Sequence, residues 1–296
     1  MATFSGLTAP RFPVCCAFFA AASLAASAQP TVTLTPGIVQ DGSPELIRVN
    51  APATAALEGA WMDHRLQFFR AAGGRGWFAL AGVDVEAPVG ASTLHIVEKL
   101  KNGVTRDLSR TVEIRAAHYR TAALAVAPQF VEPPPGALAE IEAEVALKDK
   151  VFSASAEEPL WSGNFRAPVL AAPTDSFGTR RTFNGKLASV HKGMDFRARM
   201  GTPVHASNSG IVVLARKLYF EGNCVAIDHG LGLYTISMHL SRIDVREGER
   251  VATGQLVGLS GATGRVTGPH LHWAVRWQNA YLDPAKLLRL NLSAVH

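Results

Sequence analysis

The sequence predicts a mainly β protein: an N-terminal β-sandwich domain, a Pro-rich and helical connector, and a C-terminal antiparallel β domain. Three observations support this prediction. Short runs of alternating apolar and polar residues fill positions 31–118, and a triple proline precedes a helical pattern near position 135. Short apolar runs separated by Gly, Pro and Asn then begin at about position 165. A length of 296 residues suits two domains.

The first 28 residues have the layout of a secretory signal peptide. Arg11 is followed by the apolar run FPVCCAFFAAASLA, and the small residues of ASA place a cleavage site before Gln29. A membrane anchor is the alternative, but the run is short for a span of ~20 residues. Cys15 and Cys16 lie within the peptide that would be removed. No stable membrane insertion is therefore expected after cleavage.

Residues 29–120 are predicted to form the β-sandwich. TVTLTP and PELIRVNAP alternate apolar and polar residues, and Asn102-Gly103 separates two further β-rich runs. Because Asn-Gly tolerates positive φ at both central positions of a turn, a hairpin is expected there. Five aromatic side chains are expected to supply the core, with an aromatic ligand face as the alternative: Trp61, Phe68, Phe69, Trp77 and Phe78.

Residues 121–164 are predicted to be the connector between the domains. Pro133, Pro134 and Pro135 stiffen the chain and block helix and sheet hydrogen bonding. The following stretch, GALAEIEAEVALKDK, predicts a helix of three or four turns. Its apolar side is expected to carry Leu138, Ile141, Val145 and Leu147.

Residues 165–290 are predicted to form the C-terminal antiparallel β domain, from runs such as GIVVLARKLYF, NCVAIDHG and LYTISMHL. After signal cleavage one cysteine remains, Cys224, so an exported chain would fold without an intramolecular disulfide. Cys224 lies in an alternating apolar run and is expected to be a small buried core residue. As a zinc thiolate it would need a partner cysteine, and there is none.

Seven of the ten histidines lie from position 191 onwards, and four of them fall into three motifs. HKGMD carries His191 and Asp195 at an even spacing, which puts both on one face of a strand. His239 ends the run LYTISMHL, and HLHWAVRW places His270 and His272 on one strand face. The opposite face of that strand is expected to pack in the core: Leu271, Trp273, Val275 and Trp277.

These motifs together predict a metal centre. Three His or Asp ligands with an open fourth position are typical of catalytic zinc, and such ligands suit Zn²⁺ without excluding other divalent ions. Surplus histidines are then free to carry protons or stabilise an oxyanion. On spacing alone, a set of surface or turn histidines remains the alternative, and which of His270 and His272 binds metal stays open. His205 and His229 lie outside the motifs and are expected to be structural.

The same segments carry a family resemblance over about residues 165 to 290. HKGMDFRARMGTPVHASNSGIVV and the stretch ending in GATGRVTGPHLHWAV resemble the lysostaphin-type, or LytM-domain, zinc endopeptidases of bacterial cell walls. The upstream stretches LTPGIVQDGSPELIRV and FFRAAGGRGWFALAGVD are more loosely similar to the β-sandwich domain that precedes the peptidase in some exported members. The resemblance implies a folded antiparallel sheet with the active site in a groove across it.

The resemblance also implies a role for each residue of the motifs. One Zn²⁺ per chain is expected on His191, Asp195 and His272, with His239 and His270 as the catalytic residues. Ser237 departs from the family, since many members carry an aromatic residue there, and this leaves the substrate contacts open. In FGTRRTFNGKLASVH, three side chains are candidates to line the groove, with a solvated loop as the alternative: Arg180, Arg181 and Asn184.

The function expected from this resemblance is a zinc-dependent endopeptidase that hydrolyses peptide bonds in peptidoglycan stems or cross-links. The alternative is a non-catalytic cell-wall-binding or regulatory module on the same fold. Peptidoglycan is the expected partner and the periplasm the expected location, with free secretion as the alternative. The net charge of +5 is spread along the chain, which does not favour nucleic-acid binding. The oligomeric state is left open.

Overall fold

The structure is a computed structural model that describes residues 1–2, 29–52, 54–71, 74, 76–185 and 187–295. The predicted signal peptide and its two cysteines lie almost entirely outside the described residues. Strands dominate the described chain, and the prediction of a mainly β fold with two β regions and an intervening helix is confirmed.

The N-terminal domain is built from two sheets. One has the strand order β1-β3-β7-β6, and the other has the order β2-β10-β8-β4-β5 with β9 paired to β8. All pairs are antiparallel except β2 with β10, which is parallel. The strands are β1 (Thr31–Thr35), β2 (Val39–Gln40), β3 (Pro44–Asn50), β4 (Thr54–Trp61), β5 (His64–Leu66), β6 (Phe69–Arg70), β7 (Trp77–Gly82), β8 (Gly90–Leu100), β9 (Thr105–Asp107) and β10 (Arg110–Arg115).

The aromatic residues of this domain belong to its core, as predicted. Trp61 and Phe78 are buried, and Phe68, Phe69 and Trp77 are partly buried and pack against the same hydrophobic cluster. The predicted turn at Asn102-Gly103 joins β8 to β9. Only Gly103 has a positive φ, of 84°, and its N–H donates to Leu100 O, so the turn is longer than a two-residue hairpin.

The stretch predicted as a connector is folded onto the C-terminal domain. Its first part is strand β11 (Thr121–Leu124), which pairs in parallel with β13 (Arg180–Phe183). Its second part is helix α1 (Pro135–Phe152), and a short 3-10 helix (Pro128–Phe130) lies between them. The three prolines therefore precede a helix that starts at the last of them, where the missing N–H costs no hydrogen bond.

The prediction of which residues form the apolar side of α1 was wrong in part. Leu138 and Val145 are 46% and 49% exposed, whereas Ala137, Glu144 and Phe152 are buried. The reason is polar: both carboxylate oxygens of Glu144 accept the backbone N–H of residue 219 at 2.9 Å. This contact turns the helix so that a charged residue, which periodicity assigns to solvent, faces the domain.

The C-terminal domain contains a large sheet with the strand order β12-β15-β22-β19-β18-β17-β20, to which β16, β21 and β23 are attached, and a small sheet β11-β13-β14. Apart from the β11–β13 pair, its strand pairs are antiparallel. The further elements are β12 (Pro173–Asp175), β14 (Leu187–Val190), β15 (Met194–Phe196), β16 (Pro203–His205), β17 (Gly210–Leu218), β18 (Gly222–Asp228), β19 (Leu233–Ile243), β20 (Arg250–Val251), β21 (Leu256–Ser260), β22 (Leu271–Trp277), β23 (Ala280–Leu282), helix α2 (Pro284–Leu287) and a terminal 3-10 helix (Ser293–Val295).

Strand β22 is the centre of this domain. The alternation predicted for it is present, because one face of the strand carries four fully buried side chains: Leu271, Trp273, Val275 and Trp277. Burial of two indoles and two aliphatic side chains removes several hundred Å² of apolar surface from water and fixes which face points inward. Cys224 on β18 is also buried and unpaired, as expected.

The two domains are in contact through β23 and α2. The backbone N–H of Tyr281 donates to Asp84 Oδ2 at 2.7 Å, and that of Asp283 donates to Gly42 O at 2.7 Å. Among the residues that the structure describes, neither α-helix combines the length and the apolar composition needed to cross a membrane.

His229 is a buried structural histidine, as expected for a residue outside the motifs. Its Nδ1 lies 2.8 Å from Ser209 O and its Nε2 lies 2.8 Å from Thr235 Oγ1. Burial lowers the pKa of His229 from 6.5 to about 4, against the opposing effect of the Ser209 carbonyl. The unfolded chain therefore binds a proton between pH 6.5 and about 4 that the folded chain does not.

We expect this difference to make the domain less stable in acid. The free energy of unfolding should fall as the pH drops from about 6.5 to about 4, by about 3 kcal/mol from this residue, and no further below that range. In urea unfolding at several pH values, the free energy of unfolding of His229→Gln should depend less steeply on pH than that of the parent. His205→Gln, which removes a half-buried histidine from the same domain, should keep the parent dependence. Equal slopes for His229→Gln and the parent would contradict this assignment.

Candidate metal centre and active site

The three residues predicted to hold metal lie together in the structure. Asp195 is the middle residue of β15, and His272 lies directly opposite it on the neighbouring antiparallel strand β22. His191 lies in the short segment between β14 and β15. One ligand atom from each of the three residues falls within 4.8 Å of the others. Strand pairing thus brings His272 to two side chains that are 77 and 81 residues away from it in the chain.

The donor atoms of this cluster fit a divalent cation. His191 Nε2 lies 3.0 Å from Asp195 Oδ1 and 3.0 Å from His272 Nδ1, and His272 Nδ1 lies 2.9 Å from Asp195 Oδ1. His191 Nδ1 lies 3.0 Å from Ser176 O, to which it donates, so Nε2 carries the lone pair in the neutral ring. Two ring nitrogens and one carboxylate oxygen then converge, an arrangement that a cation or a shared proton stabilises. This donor set suits zinc.

The second oxygen of Asp195 is held by an arginine. Arg181 Nη2 donates to Asp195 Oδ2 at 2.9 Å and to Asp175 Oδ2 at 2.5 Å. Asp175 Oδ2 in turn lies 3.7 Å from His191 Nδ1. Arg181 therefore fixes Oδ2 and leaves Oδ1 for the cluster. Asp175 was not predicted from the sequence, because a single Asp in TDSFG has no spacing that marks it as part of a site.

Ionisation of Asp195 is favoured in this setting. Burial alone would raise its pKa, but its hydrogen bonds with His191 and His272 and their charges outweigh burial and hold the pKa well below the ordinary range. The pKa of His272 is lowered, first by burial. The cluster therefore contains an anionic carboxylate beside a ring that burial keeps neutral, which are the forms in which both groups bind metal.

The two histidines predicted to be catalytic flank this cluster. The rings of His239 and His270 are 5.1 Å apart between centroids, and the His239 ring is 5.9 Å from that of His272. His270 Nε2 lies 3.7 Å from Asp195 Oδ1. The side chain of His270 is 18% exposed and that of His272 is 12% exposed, so both reach the edge of the cleft.

Backbone carbonyls set the tautomer of both flanking rings. His239 Nδ1 lies 2.8 Å from Thr263 O, and His270 Nδ1 lies 2.8 Å from Gly268 O. A carbonyl oxygen only accepts, so Nδ1 of each ring is the donor. In the neutral ring Nε2 is then unprotonated and able to accept a proton.

His239 reaches the cleft through an unusual backbone conformation. Its neighbour Met238 pairs with His272, and strand alternation would turn His239 to the opposite face. His239 instead has a φ of 62°, and the pairing of β19 with β18 and β21 shifts register around it. Both Met238 and His239 consequently line the same cavity.

Burial acts strongly on His239. Its pKa is lowered from 6.5 to about 3, first by burial and then by the neighbouring His272 and His270. At neutral pH the ring is therefore uncharged. The carbonyl of Thr263 opposes this shift without reversing it.

Comparison with known proteins agrees with this geometry: residues 189–284 match peptidase family M23. The C-terminal domain carries an M23 peptidase domain. That match begins at β14, ends at α2, and contains all five clustered residues.

Two curated proteins similar to the M23 domain are peptidases by name. Peptidoglycan DD-endopeptidase ShyA of Vibrio cholerae is 50% identical over 88 residues, which is 30% of this chain and 20% of that protein. DD-carboxypeptidase/endopeptidase Mpg of Neisseria meningitidis is 39% identical over 98 residues, 33% of this chain and 23% of that protein. The match thus spans about a fifth of the length of these relatives.

A solved structure extends the similarity to the N-terminal domain. A peptidase M23 structure from Pseudomonas aeruginosa superposes with a TM-score of 0.61 at 26% identity, over 88% of this chain and 92% of that one. The arrangement of an N-terminal β domain before the M23 domain is therefore shared with that protein.

The clustered residues of the M23 domain line a cavity of about 710 Å³. Its walls also contain Arg181, Arg265, Phe183 and Phe220, together with Glu86 from the N-terminal domain. Leu124 at the end of β11 and Val126 just after it also line the cavity. The cleft is thus shaped by three parts of the chain.

The structure places Arg180 and Asn184 away from this cleft. The amide of Asn184 is used by Val126, whose N–H it accepts at 3.1 Å and to whose carbonyl it donates at 2.8 Å. Arg180 is exposed and borders a smaller neighbouring pocket beside β11. Of the three groove candidates in that segment, Arg181 is the one that lines the cleft. The preference of Asn184 for a positive φ, here 49°, explains it as a turn residue.

We expect Gly193→Ala to disrupt the metal centre. A Cβ at this position would lie 2.4 Å from His272 Nε2 and 2.8 Å from Trp273 O, so the His272 ring must move. Because φ of Gly193 is not positive, the effect is steric rather than conformational. The affinity of the cluster for a divalent cation, measured with Zn²⁺ as the probe, should fall at least about tenfold, because the His272 ring is displaced from its place beside the other two ligands.

Competition titration with a chromogenic chelator measures that affinity. Gly37→Ala is the matched control, because a Cβ there meets no atom within 4 Å. Parent-like zinc affinity in Gly193→Ala would show that His272 tolerates the displacement.

Proposed function

We propose that the chain is a zinc-dependent endopeptidase that hydrolyses peptide bonds in the stems or cross-links of peptidoglycan. The observation that carries the proposal is the convergence of three metal-binding atoms and two histidines with unprotonated Nε2 in one cleft. The M23 match and the names of its relatives support peptidoglycan as the substrate class.

The residues that would hold zinc are His191 through Nε2, Asp195 through Oδ1 and His272 through Nδ1. When bound, zinc lowers the pKa of a coordinated water and polarises a carbonyl group. His191 is oriented for this task by its hydrogen bond to Ser176 O, and Asp195 by Arg181. Such outer contacts restrict the ligand rings before any ion arrives.

The protein's own contribution to the chemistry lies in His239 and His270. Each ring can accept the proton of the attacking water at Nε2, because Nδ1 is committed to a backbone carbonyl. A ring that has gained a proton can then donate a hydrogen bond to the oxyanion of the tetrahedral intermediate, or return the proton to the leaving amine. Two rings 5.1 Å apart allow these tasks to be shared.

Residues that the M23 domain would need for catalysis are all present, which favours an enzyme over a non-catalytic wall-binding or regulatory module. For the location we propose the periplasm, with release from the cell as the alternative outcome. This proposal rests on the signal-like sequence before Gln29 and on the cell-wall substrates in the names of the relatives.

Incubation of the purified mature protein with peptidoglycan tests the function directly. We expect new amine ends and smaller muropeptides, abolished by a zinc chelator and restored by added Zn²⁺. Mass analysis of the released muropeptides identifies the bond. Binding to peptidoglycan without any new amine end, in protein shown to contain zinc, would support the non-catalytic module instead.

Two substitutions separate metal binding from proton transfer. His191→Ala should abolish stoichiometric zinc binding, because it removes one of three ligands. His270→Ala should keep most of the zinc but lower turnover by at least about 100-fold, as expected for loss of a general base or oxyanion donor. Metal analysis and muropeptide release are measured on both, with His205→Ala as the matched control. Full activity in either variant would refute these roles.

A further inference from the structure

One cation in the cleft has no anionic partner among the described residues. Arg265 is half-buried on the loop between β21 and β22, and its side chain lines the cavity beside the histidines. Its guanidinium lies 5.0 Å from the centre of the Phe183 ring and 4.8 Å from that of Phe220. Its own N–H donates to Phe220 O at 2.8 Å, which anchors the loop. The two rings therefore hold the guanidinium in place.

Contact with the two rings leaves the edge of the guanidinium open to the cleft. Aromatic rings interact with the faces of the cation, whereas its five N–H donors lie in its plane. Over the described parts of the chain, no oxygen accepts a hydrogen bond from these donors. The acid whose charge acts on Arg265 is Glu221, whose Oε1 is paired with Lys148 Nζ at 2.5 Å and whose Oε2 makes no hydrogen bond to Arg265 or to another described residue.

The other cationic side chains of the cleft are either paired with carboxylates or exposed to water. Arg181 is paired with Asp175 and Asp195, and Lys192 is paired with Glu86 at 2.9 Å. Arg197 is exposed, so water solvates it. Arg265 is held by the two rings and has no ion-pair partner among the described residues, so its donors are available to an incoming anion.

The position of Arg265 connects it to the catalytic histidine. It lies two residues after Thr263, whose carbonyl accepts from His239 Nδ1. The loop that orients the His239 ring therefore also positions the open guanidinium. A ligand fixed by Arg265 would be placed at a defined distance from His239 and the metal centre.

We propose that Arg265 binds a carboxylate of the peptide substrate and so selects stems that carry this free carboxylate near the scissile bond. The planar fork of arginine matches a carboxylate with two parallel hydrogen bonds, which lysine cannot reproduce. The inference rests on the proposed function and deepens it, because it names the chemical group of the stem that the cleft recognises. Arg265 acts in binding and positioning, and the proton transfers remain with His239 and His270.

Matched substrates test this recognition. Stem peptides are prepared with all carboxylates free, with the C-terminal carboxylate converted to a carboxamide, and with the side-chain carboxylate of the diamino acid converted to a carboxamide. For the parent enzyme we expect kcat/KM to fall about tenfold to a hundredfold in one of the two amidated arms, the size of a lost charge-assisted hydrogen-bonded pair. The arm that responds identifies the carboxylate.

Substitutions of Arg265 show whether the guanidinium is responsible. Arg265→Gln should lose about the same factor on the free-carboxylate peptide, mainly through KM, and should no longer distinguish free from amidated substrate. Arg265→Lys should recover part of the discrimination. Arg250→Gln is the matched control. Arg250 is exposed on β20, which forms the edge of the large sheet opposite to β12.

The outcomes separate this inference from the proposed function. If Arg265 only anchors its loop, Arg265→Gln should cleave all three peptides more slowly while keeping the parent preference, and that result would overturn the inference. Parent enzyme that cleaves all three equally would also overturn it while leaving the endopeptidase intact. If the parent cleaves none, the proposed function fails. Calorimetric titration of the same peptides into the parent and into Arg265→Gln then tests the contact with the carboxylate independently of cleavage. Equal affinities of the two proteins would refute that contact.

Discussion

The antiparallel register between β15 and β22 is the constraint on which the rest of the site depends. It sets Asp195 opposite His272, and residues opposite each other in such a pair share one face of the sheet. A slip of one residue would turn His272 into the interior and Trp273 into the cleft. Trp273 is fully buried, so the hydrophobic core that excludes this slip also keeps the ligands together. Metal-site geometry and core packing are therefore two consequences of one strand alignment.

The backbone at His239 adopts a conformation that costs free energy. A positive φ is unfavourable for a residue with a Cβ, by roughly 1–3 kcal/mol, and is retained where surrounding structure enforces it. Here the N–H of His239 donates to Glu221 O at 2.9 Å and its ring donates to Thr263 O. These hydrogen bonds fix both the backbone and the ring of a residue that regular strand geometry would direct elsewhere.

The sequence predicted the parts of the structure that depend on periodicity. The face of β22 that carries Trp273 was predicted from alternation, and the burial of Cys224 from its place in an apolar run. The direction of His239 depends on a bulge, which alternation does not encode. The outward position of Val145 depends on the hydrogen bond from the backbone N–H of Tyr219, in the turn between β17 and β18, to Glu144. This is a contact between segments that are distant in the chain. The role of Asn184 likewise depends on its partner Val126, which no local pattern identifies.

Burial of the cluster serves two requirements at once. A histidine binds metal only when the ligating nitrogen is unprotonated, and it acts as a base only in the same form. Burial lowers the pKa of both His272 and His239, which keeps these rings neutral, while the pKa of Asp195 is held low by its neighbours and its Oδ2 accepts from Arg181. A neutral ring beside an anionic carboxylate is the pair of forms that binds a divalent cation. The same burial leaves Arg265 charged but poorly solvated, since guanidinium does not give up its proton at physiological pH. One environment thus suits a metal ion at the His and Asp cluster and an anion at Arg265.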